Sequence, residues 1–413
     1  MNTTPPDFEA ARSLFFQGLE HFEAHRLEEA RAAFEGSLRA LPGRVSTQVN
    51  LAATLLRLGH AEEALSCARD ILAQEPEHWE GHFHAGHALQ QRGRYAEALA
   101  HFEACEANGG SNPVVALHHA QVLHRLARPA DALAAYDRAL ALDATFSPAW
   151  TGRGEMSREL GRLQHAVHSF EQAIAHGDAS ELTRYYLASV KEQGASTPAA
   201  APGHYVEALF DGYAQDFDHH LVDVLGYQAH KLIAQRVAQY AGERGRPFDA
   251  AADLGCGTGL CGALIRAHAR RIIGVDLSAG MLDKARERGA HDELVQQDIV
   301  ALLQARPASF DLLVAADVLI YVGDLEPVWK AAREAMLASQ GESPLFFLSL
   351  EEMTESNGNG YVLQPSLRYA HSQRYVRETA SRCGLQVLDL QQQPIRQDQR
   401  ESIPGLYVVL APA

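Results

Sequence analysis

The sequence predicts two domains of different class: an all-α solenoid of helical pairs, then an α/β domain whose mostly parallel sheet ends in an antiparallel C-terminal strand pair. Three observations predict this. Residues 11–180 repeat every 34 positions, residues 194–203 (GASTPAAAPG) break that period, and from residue 204 apolar runs of strand length alternate with helical stretches.

Framed from Ala11, the first half falls into windows 11–44, 45–78, 79–112, 113–146 and 147–180. Position 20 is alanine throughout: Ala30, Ala64, Ala98, Ala132 and Ala166. Position 8 is always small (Gly18, Ala52, Gly86, Ala120, Gly154), and position 24 is Phe34, Ala68, Phe102, Tyr136 and Phe170. Small residues at 8 and 20 let two antiparallel helices approach closely, and the aromatic at 24 is expected to fill the gap toward the next pair. Glycine in RLGHAEEA, QRGRYAEA and ELGRLQHA suits a left-handed residue at a helix end. The pattern, fullest at Trp150, Gly154, Ala166 and Phe170, resembles the tetratricopeptide repeat, TPR. Gly109 and Gly110 depart from it, standing where an inter-repeat proline is usual. Segment 181–193 reads as a cap helix with a polar face, which completes a TPR solenoid over 1–193. The stretch 194–203 then reads as a linker and 204–413 as the second domain.

The net charge of −16 repels a phosphate backbone and argues against nucleic acid as a partner. No basic-then-apolar segment opens the chain, and no apolar run nears the roughly 20 residues of a membrane span. The expectation is a cytoplasmic protein with no signal peptide and no membrane contact. Cys67, Cys105, Cys256, Cys261 and Cys383 are scattered and form no C-x-x-C pair, against both a disulfide framework and a zinc site. In HFHAGH, the His82, His84 and His87 set has no completing carboxylate or cysteine, so no metal is expected there. With His118, His119 and His124 one repeat later, these residues are expected to make the concave groove histidine-rich and pH-sensitive.

In the second half, strand candidates are FDAAADLG (248–255), RRIIGVDLS (270–278), DELVQQDI (292–299), FDLLVAADVL (310–319) and PLFFLSL (344–350). Helical stretches lie between them, which implies a parallel sheet with helices on both faces. GLQVLDLQQQ and GLYVVLAP, joined without a helix signal, read as an antiparallel pair at one edge.

The stretch AADLGCGTGLCG (251–262) satisfies both the dinucleotide fingerprint and a shorter glycine motif. Gly255, Gly257 and Gly259 let the backbone approach a ligand, beyond the carboxyl end of the first strand. Asp276, followed by Leu277, ends the second strand, where it can accept from ribose hydroxyls under either reading. Two residues separate the readings. Asp253 would repel a pyrophosphate but suits an ammonium or ribose, as in S-adenosylmethionine. Asp298 closes the third strand, where it can accept from the adenine amine, with Ile299 adding an apolar contact.

With these motifs in order, residues 204–413 resemble a class I S-adenosylmethionine-dependent methyltransferase with a Rossmann-like sheet. ADLGCGTG matches the glycine motif, Asp276 and Asp298 the second- and third-strand acids, and FDLLVAADVLIYVGDLEPVW, with Asp317, the fourth-strand motif. The whole chain is similar to predicted methyltransferases that carry TPR repeats. Segments 205–227, 367–376 and 404–409 share the likeness, with His230 standing where a proline is expected. The resemblance implies S-adenosylmethionine as cofactor, bound by Gly255, Gly257, Gly259, Asp253, Asp276, Leu277, Asp298, Ile299 and Asp317. It also implies that the aromatic-rich segment carrying Tyr213, Phe217 and Asp218 folds over the cofactor. Tyr213 would make a cation–π contact with the sulfonium worth up to about 2 kcal/mol when desolvated.

Methyl transfer needs alignment of donor and acceptor. A carboxylate acceptor needs no base, whereas a hydroxyl, amide or protonated amine does. The candidate bases are His371, Tyr369, His220 and Asp317, with His371 expected to titrate near working pH. Glu351 and Glu352 read as a solvated loop start, or as a clamp for a guanidinium, before a glycine- and asparagine-rich lid at 353–360. No Asn-Pro-Pro-Tyr or Asp-Pro-Pro-Tyr stretch follows the fourth strand, against adenine or glutamine as acceptor. The fusion suggests that the TPR groove recruits a protein or peptide for methylation. Two alternatives stay open: a small-molecule methyltransferase whose repeats serve oligomerisation, and a non-catalytic cofactor-binding assembly factor.

Overall fold

Alanine and glycine at a fixed spacing pull helices together in pairs, and the first part of the chain is built on that device. The computed structural model describes residues 6–191, 197–336, 342–353, 360–398 and 401–413, in two units, Met1–Thr183 and Arg184–Ala413. Among the described residues, no helix is long and apolar enough to cross a membrane.

The first unit stacks antiparallel helical pairs: α1 (Pro6–Glu23) with α2 (Leu27–Ala40), α3 (Val45–Arg57) with α4 (Ala61–Gln74), α5 (Trp79–Gln91) with α6 (Tyr95–Ala107), α7 (Pro113–Arg125) with α8 (Pro129–Leu142), and α9 (Ser147–Glu159) with α10 (Leu163–Ala175). Ala30, Ala64, Ala98, Ala132 and Ala166 are fully buried. The ring at position 24 covers the glycine of its own pair. A Cβ on Gly18 would lie 2.5 Å from Phe34, one on Gly86 3.0 Å from Phe102, and one on Gly154 2.5 Å from Phe170. Tyr136 alone of these rings meets the next pair's glycine, where a Cβ on Gly152 would lie 2.3 Å away. The expectation that every ring points onward is corrected accordingly.

The turn inside each pair holds one left-handed residue in the same register: His25, Gly59, Gly93, Ala127 and Gly161, with φ between 56° and 80°. Gly59, Gly93 and Gly161 adopt this at no steric cost, whereas His25 and Ala127 do so against their own Cβ.

α11 (Glu181–Val190) spans the division between the units, which falls between Thr183 and Arg184 rather than at 194–203. The described part of the expected linker is also no free tether. The Ala199 carbonyl accepts from the backbone N–H of Gly323 (2.7 Å) and Asp324 (2.8 Å), and the Ala201 N–H donates to the Tyr321 carbonyl (2.8 Å). Composition marked a break in periodicity, but these backbone groups found partners in 321–324. Residues 192–196, in the expected cap and linker, lie outside the described residues.

The second unit opens with α12 (Gly203–Tyr213), a π-helical turn at His219–Val224 and α13 (Ala229–Arg244). Then follow β1 (Phe248–Leu254), α14 (Leu260–Ile265), β2 (Ala269–Asp276), α15 (Ala279–Arg288), β3 (Glu293–Gln296), α16 (Ile299–Ala305), β4 (Leu312–Ala315), α17 (Glu326–Ala335) and β5 (Leu345–Glu352). The chain ends with β6 (Tyr361–Leu363), β7 (Tyr369–His371), α18 (Gln373–Arg382), β8 (Leu385–Asp398) and β9 (Glu401–Pro412). Strands β3-β2-β1-β4-β5 are parallel, β9 lies antiparallel beside β5, and β8 lies antiparallel on β9. The short β7 pairs with the carboxyl end of β5, and β6 with β7. Apolar cores fill both faces, one around Trp329 and Phe346, the other around Phe248 and Phe347. The α/β class and the inserted antiparallel C-terminal pair agree with the sequence.

Two boundaries differ and both matter. β4 ends at Ala315, short of the expected 319, because Asp317 turns the chain at φ 61°. β5 runs through Glu351 and Glu352, so these acids stand on a strand and not on a solvated loop. The expected lid falls largely on 354–359, outside the described residues.

Replacing Ala127 by glycine removes the Cβ clash of a left-handed residue and is expected to stabilise the repeats by about 0.5–1 kcal/mol. Gly154→Ala forces a Cβ into Phe170 and is expected to cost about 1–3 kcal/mol. Urea unfolding of the full chain, followed by helical circular dichroism, checks both.

Candidate functional site

Loops at the carboxyl ends of β1, β2, β4 and β5 form the site. After β1 the backbone turns through Gly255, Gly257 and Gly259 at φ 62°, 53° and 86°. A Cβ on Gly255 would lie 2.3 Å from Val318, so that glycine lets the loop after β4 close against the loop after β1. Asp276 ends β2 and braces the loop: its Oδ2 accepts from Gly257 N–H at 2.8 Å and its Oδ1 from Ser278 N–H at 3.0 Å. Burial raises its pKa, against the pull of those N–H groups. Each oxygen keeps acceptor capacity beyond one backbone bond.

The neighbouring candidates spread along the same edge. The Leu277 carbonyl accepts from Gln296 Nε2 at 2.9 Å. Asp298 is exposed and caps α16, its Oδ1 accepting from Ala301 N–H at 3.0 Å, while Ile299 beside it is buried. Asp253 departs from expectation. It is buried, and its Oδ2 lies 3.0 Å from Nε2 of an equally buried His291. A Cβ on Gly262 would lie 2.4 Å from that same nitrogen. Asp253 therefore faces the underside of the glycine loop, and its partner is an imidazole of this chain. His291 had no periodic or motif signal.

A roof crosses the glycine loop. Phe217 stacks edge-on with Phe210 and Tyr213, centroids 5.9 and 5.4 Å away, and its ring lies 3.9 Å from where a Cβ on Gly257 would stand. Two aspartates pin this segment. Asp218 accepts from the Thr258 hydroxyl and the Arg288 guanidinium. Asp211 accepts from the Ser278 hydroxyl and, at 3.1 Å, from Gly280 N–H. The Tyr213 hydroxyl is hydrogen-bonded to His220 Nδ1, which draws both expected site residues into one pair.

After β4, Asp317 lies against Arg396. Arg396 Nη1 donates to both carboxylate oxygens, at 3.0 and 3.3 Å, and its Nη2 donates to Glu351. A register shift between Pro394 and Arg396 interrupts β8 here. The Gln228 N–H donates to the Ile395 carbonyl and the Gln397 N–H to the Leu225 carbonyl, clamping the strand on either side of Arg396. The guanidinium clamped by Glu351 is thus internal. Glu352 instead accepts from Gln373 and Gln392.

His371 and Tyr369 are corrected as bases. Both are fully buried on β7. His371 Nε2 donates to the Gly323 carbonyl at 3.0 Å, and burial pushes its pKa down to about 4, not near working pH. The Tyr369 hydroxyl donates to the Pro198 carbonyl at 2.8 Å, and burial pushes the phenol up. In the repeats, two of the six histidines of the expected groove are buried away from ready protonation. Burial pushes His84 down to about 4 and His118 to about 3. Among the described residues, no group of three His, Cys, Asp or Glu side chains is placed to hold a metal.

Comparison with known proteins bears on both units. The family model "Methyltransferase domain" matches residues 252–342, and "Tetratricopeptide repeat" matches 49–113 and 117–182. Over 117 residues the chain is 30% identical to the biotin biosynthesis bifunctional protein BioHC of Saccharophagus degradans, covering 28% of this chain and 20% of that protein. Over 103 residues it is 42% identical to trans-aconitate 2-methyltransferase of Paracidovorax citrulli, covering 24% and 36%. The chain thus spans a fifth to just over a third of these relatives' length. An S-adenosylmethionine-dependent methyltransferase from Clostridium acetobutylicum aligns at 17% identity and a TM-score of 0.38, over 49% of this chain and 99% of that one.

His371 has a folded pKa below its unfolded one, so the unfolded chain takes up its proton first as pH falls. Stability is therefore lost from about pH 6.5 down to 4, by on the order of 3 kcal/mol. His371→Gln keeps a donor for Gly323 and is expected to flatten that slope. Urea unfolding of both chains between pH 4 and 7 checks it.

Proposed function

We propose that this chain, in which tetratricopeptide repeats precede a class I methyltransferase domain, transfers a methyl group from S-adenosylmethionine to a protein or peptide recruited by the repeats. The observation that carries the reading is Asp276. It ends the second strand of a β3-β2-β1-β4-β5 sheet and braces the glycine loop through Gly257.

The residues fit such a cofactor. Asp276 keeps lone pairs for ribose hydroxyls, and Leu277 borders the same edge. Asp298, with one oxygen engaged in capping α16, offers the other to the adenine amine beside Ile299. Gly255, Gly257 and Gly259 admit the amino-acid half without a Cβ in its way. The ring of Phe217, backed by Tyr213, covers the loop, where it excludes water and packs on a sulfonium. S-adenosylmethionine supplies an electrophilic methyl carbon, and the chain's task is to hold an acceptor in line with it.

Stacked repeats leave a concave face that suits an extended polypeptide, which favours a protein or peptide acceptor. A second reading is a small-molecule acceptor, with the repeats serving oligomerisation. It draws support from the 42% identical relative, whose name gives trans-aconitate as what it methylates.

Calorimetry with S-adenosylhomocysteine, S-adenosylmethionine and NAD tests the cofactor. The two adenosyl compounds are expected to bind and NAD is not. Asp276→Ala is expected to weaken the adenosyl compounds about 100-fold, since each charge-assisted bond contributes about 1.5–3 kcal/mol. NAD binding without the others overturns the reading.

A further inference from the structure

We propose that Asp317 is the general base of the transfer, held by Arg396 and Glu351 as positioning residues, so that the acceptor is an amine, amide or hydroxyl and not a carboxylate. The inference rests on the methyltransferase reading and names the acceptor class and the residue that serves it.

Placement comes first. Asp317 stands past the carboxyl end of β4, one residue before Val318, which packs on Gly255 of the glycine loop. Its backbone is left-handed at φ 61°, which costs an L-residue about 1–2 kcal/mol. The Ser349 hydroxyl on β5 accepts its N–H at 2.9 Å and holds that turn. A strained, over-determined backbone beside a glycine loop is a pattern that recurs at reacting groups.

Orientation comes second. Arg396 sets the carboxylate by touching both oxygens through one nitrogen, and Glu351 anchors the guanidinium from behind. Exposure falls inward along this chain of contacts, from 12% at the Asp317 side chain to 2% at Arg396 and 3% at Glu351. The carboxylate is thus the accessible end, and its supports are closed off.

Charge balance comes third. The charged and titratable groups around Asp317 include Arg396 and Glu351, Arg368, and the phenols of Tyr321, Tyr227 and Tyr407. Burial raises the Asp317 pKa to about 6, against the pull of Arg396 and Arg368 and with a push from Glu351. A base is most effective when its pKa lies near the working pH. The phenols are pushed up by burial and stay protonated. His371 and Tyr369 are sealed in against Gly323 and Pro198, and His220 is paired with Tyr213, whereas the Asp317 carboxylate stays partly exposed.

The step balances as a simple displacement. The acceptor's lone pair forms a bond to the methyl carbon, and the carbon–sulfur bond breaks with its electron pair going to sulfur. S-adenosylhomocysteine results, and the acceptor's N–H or O–H proton passes to the Asp317 carboxylate and then to solvent.

The test incubates the full chain with S-adenosylmethionine labelled in its methyl group and a desalted extract of the source cells. Label is read before and after mild alkali, which hydrolyses methyl esters and spares N-methyl and ether groups. Wild-type label is expected to survive alkali, and its rate to rise with pH through a limb near 6. Asp317→Asn is expected to lose at least about 100-fold in rate and to lose that limb. Its S-adenosylhomocysteine affinity, measured by calorimetry, reports whether the site remains folded, and the rate is expected to fall at least about tenfold further than that affinity. Glu351→Gln removes a nearby negative charge and is expected to shift the limb to lower pH. Alkali-labile label, an Asp317→Asn chain at wild-type rate, or loss of S-adenosylhomocysteine binding together with rate each overturns the assignment. A wild-type chain that transfers no label, either to the desalted extract or to its separated small-molecule fraction, overturns the methyltransferase reading itself, and is told apart because it fails before any substitution is made.

Discussion

A guanidinium withdrawn from water costs several kcal/mol unless carboxylates surround it. Arg396 is withdrawn almost completely, and the second unit is arranged around meeting that demand. One carboxylate comes from the turn after β4 and the other from the end of β5, while the arginine itself arrives on β8. These three pieces lie far apart in the chain, so the pair forms only when β9 has inserted beside β5 and brought β8 with it. The register shift at Pro394 and Arg396 and the two backbone bonds from Leu225 and Gln228 hold the strand at that point. Removing one member would strand a buried charge, which ties the order of the site to the hairpin at the end of the chain.

The repeats obey a different constraint, one of close approach. Fully buried alanines at a single register let the helices of each pair touch, and glycine opposite an aromatic ring removes the one Cβ that would hold them apart. The left-handed position in each turn keeps its register even where His25 and Ala127 occupy it. The period thus governs backbone conformation more strictly than residue identity. This explains why glycine was visible in only some turns while the structure repeats in all of them.

In the site, several polar side chains expected to face a ligand turn instead to one another. Asp253 binds His291, Tyr213 binds His220, and Asp218 spans Thr258 and Arg288. A buried polar group without a partner is costly, so the fold supplies partners from wherever the chain passes nearest. His291, Arg288 and Arg396 gave no signal in the sequence because a partner contributed from a distant element leaves no local spacing. The glycine loop, Asp276 and the acid capping α16 were legible because each is set by its own strand end.

The amino-acid order by itself determined the number of helical pairs, the small and aromatic positions that pack them, the alternating strands of the second half and the strand-end acids around the glycine loop. These follow from local periodicity, steric size and turn conformation, which act over a few residues. The tertiary structure alone decided that 197–202 lies along 321–324 and is no free tether, that His371 and Tyr369 are sealed in, and that Asp317 answers to Arg396. Each of these depends on desolvation and on contacts between elements remote in sequence, and burial is a property no short stretch of chain possesses until the sheet has closed.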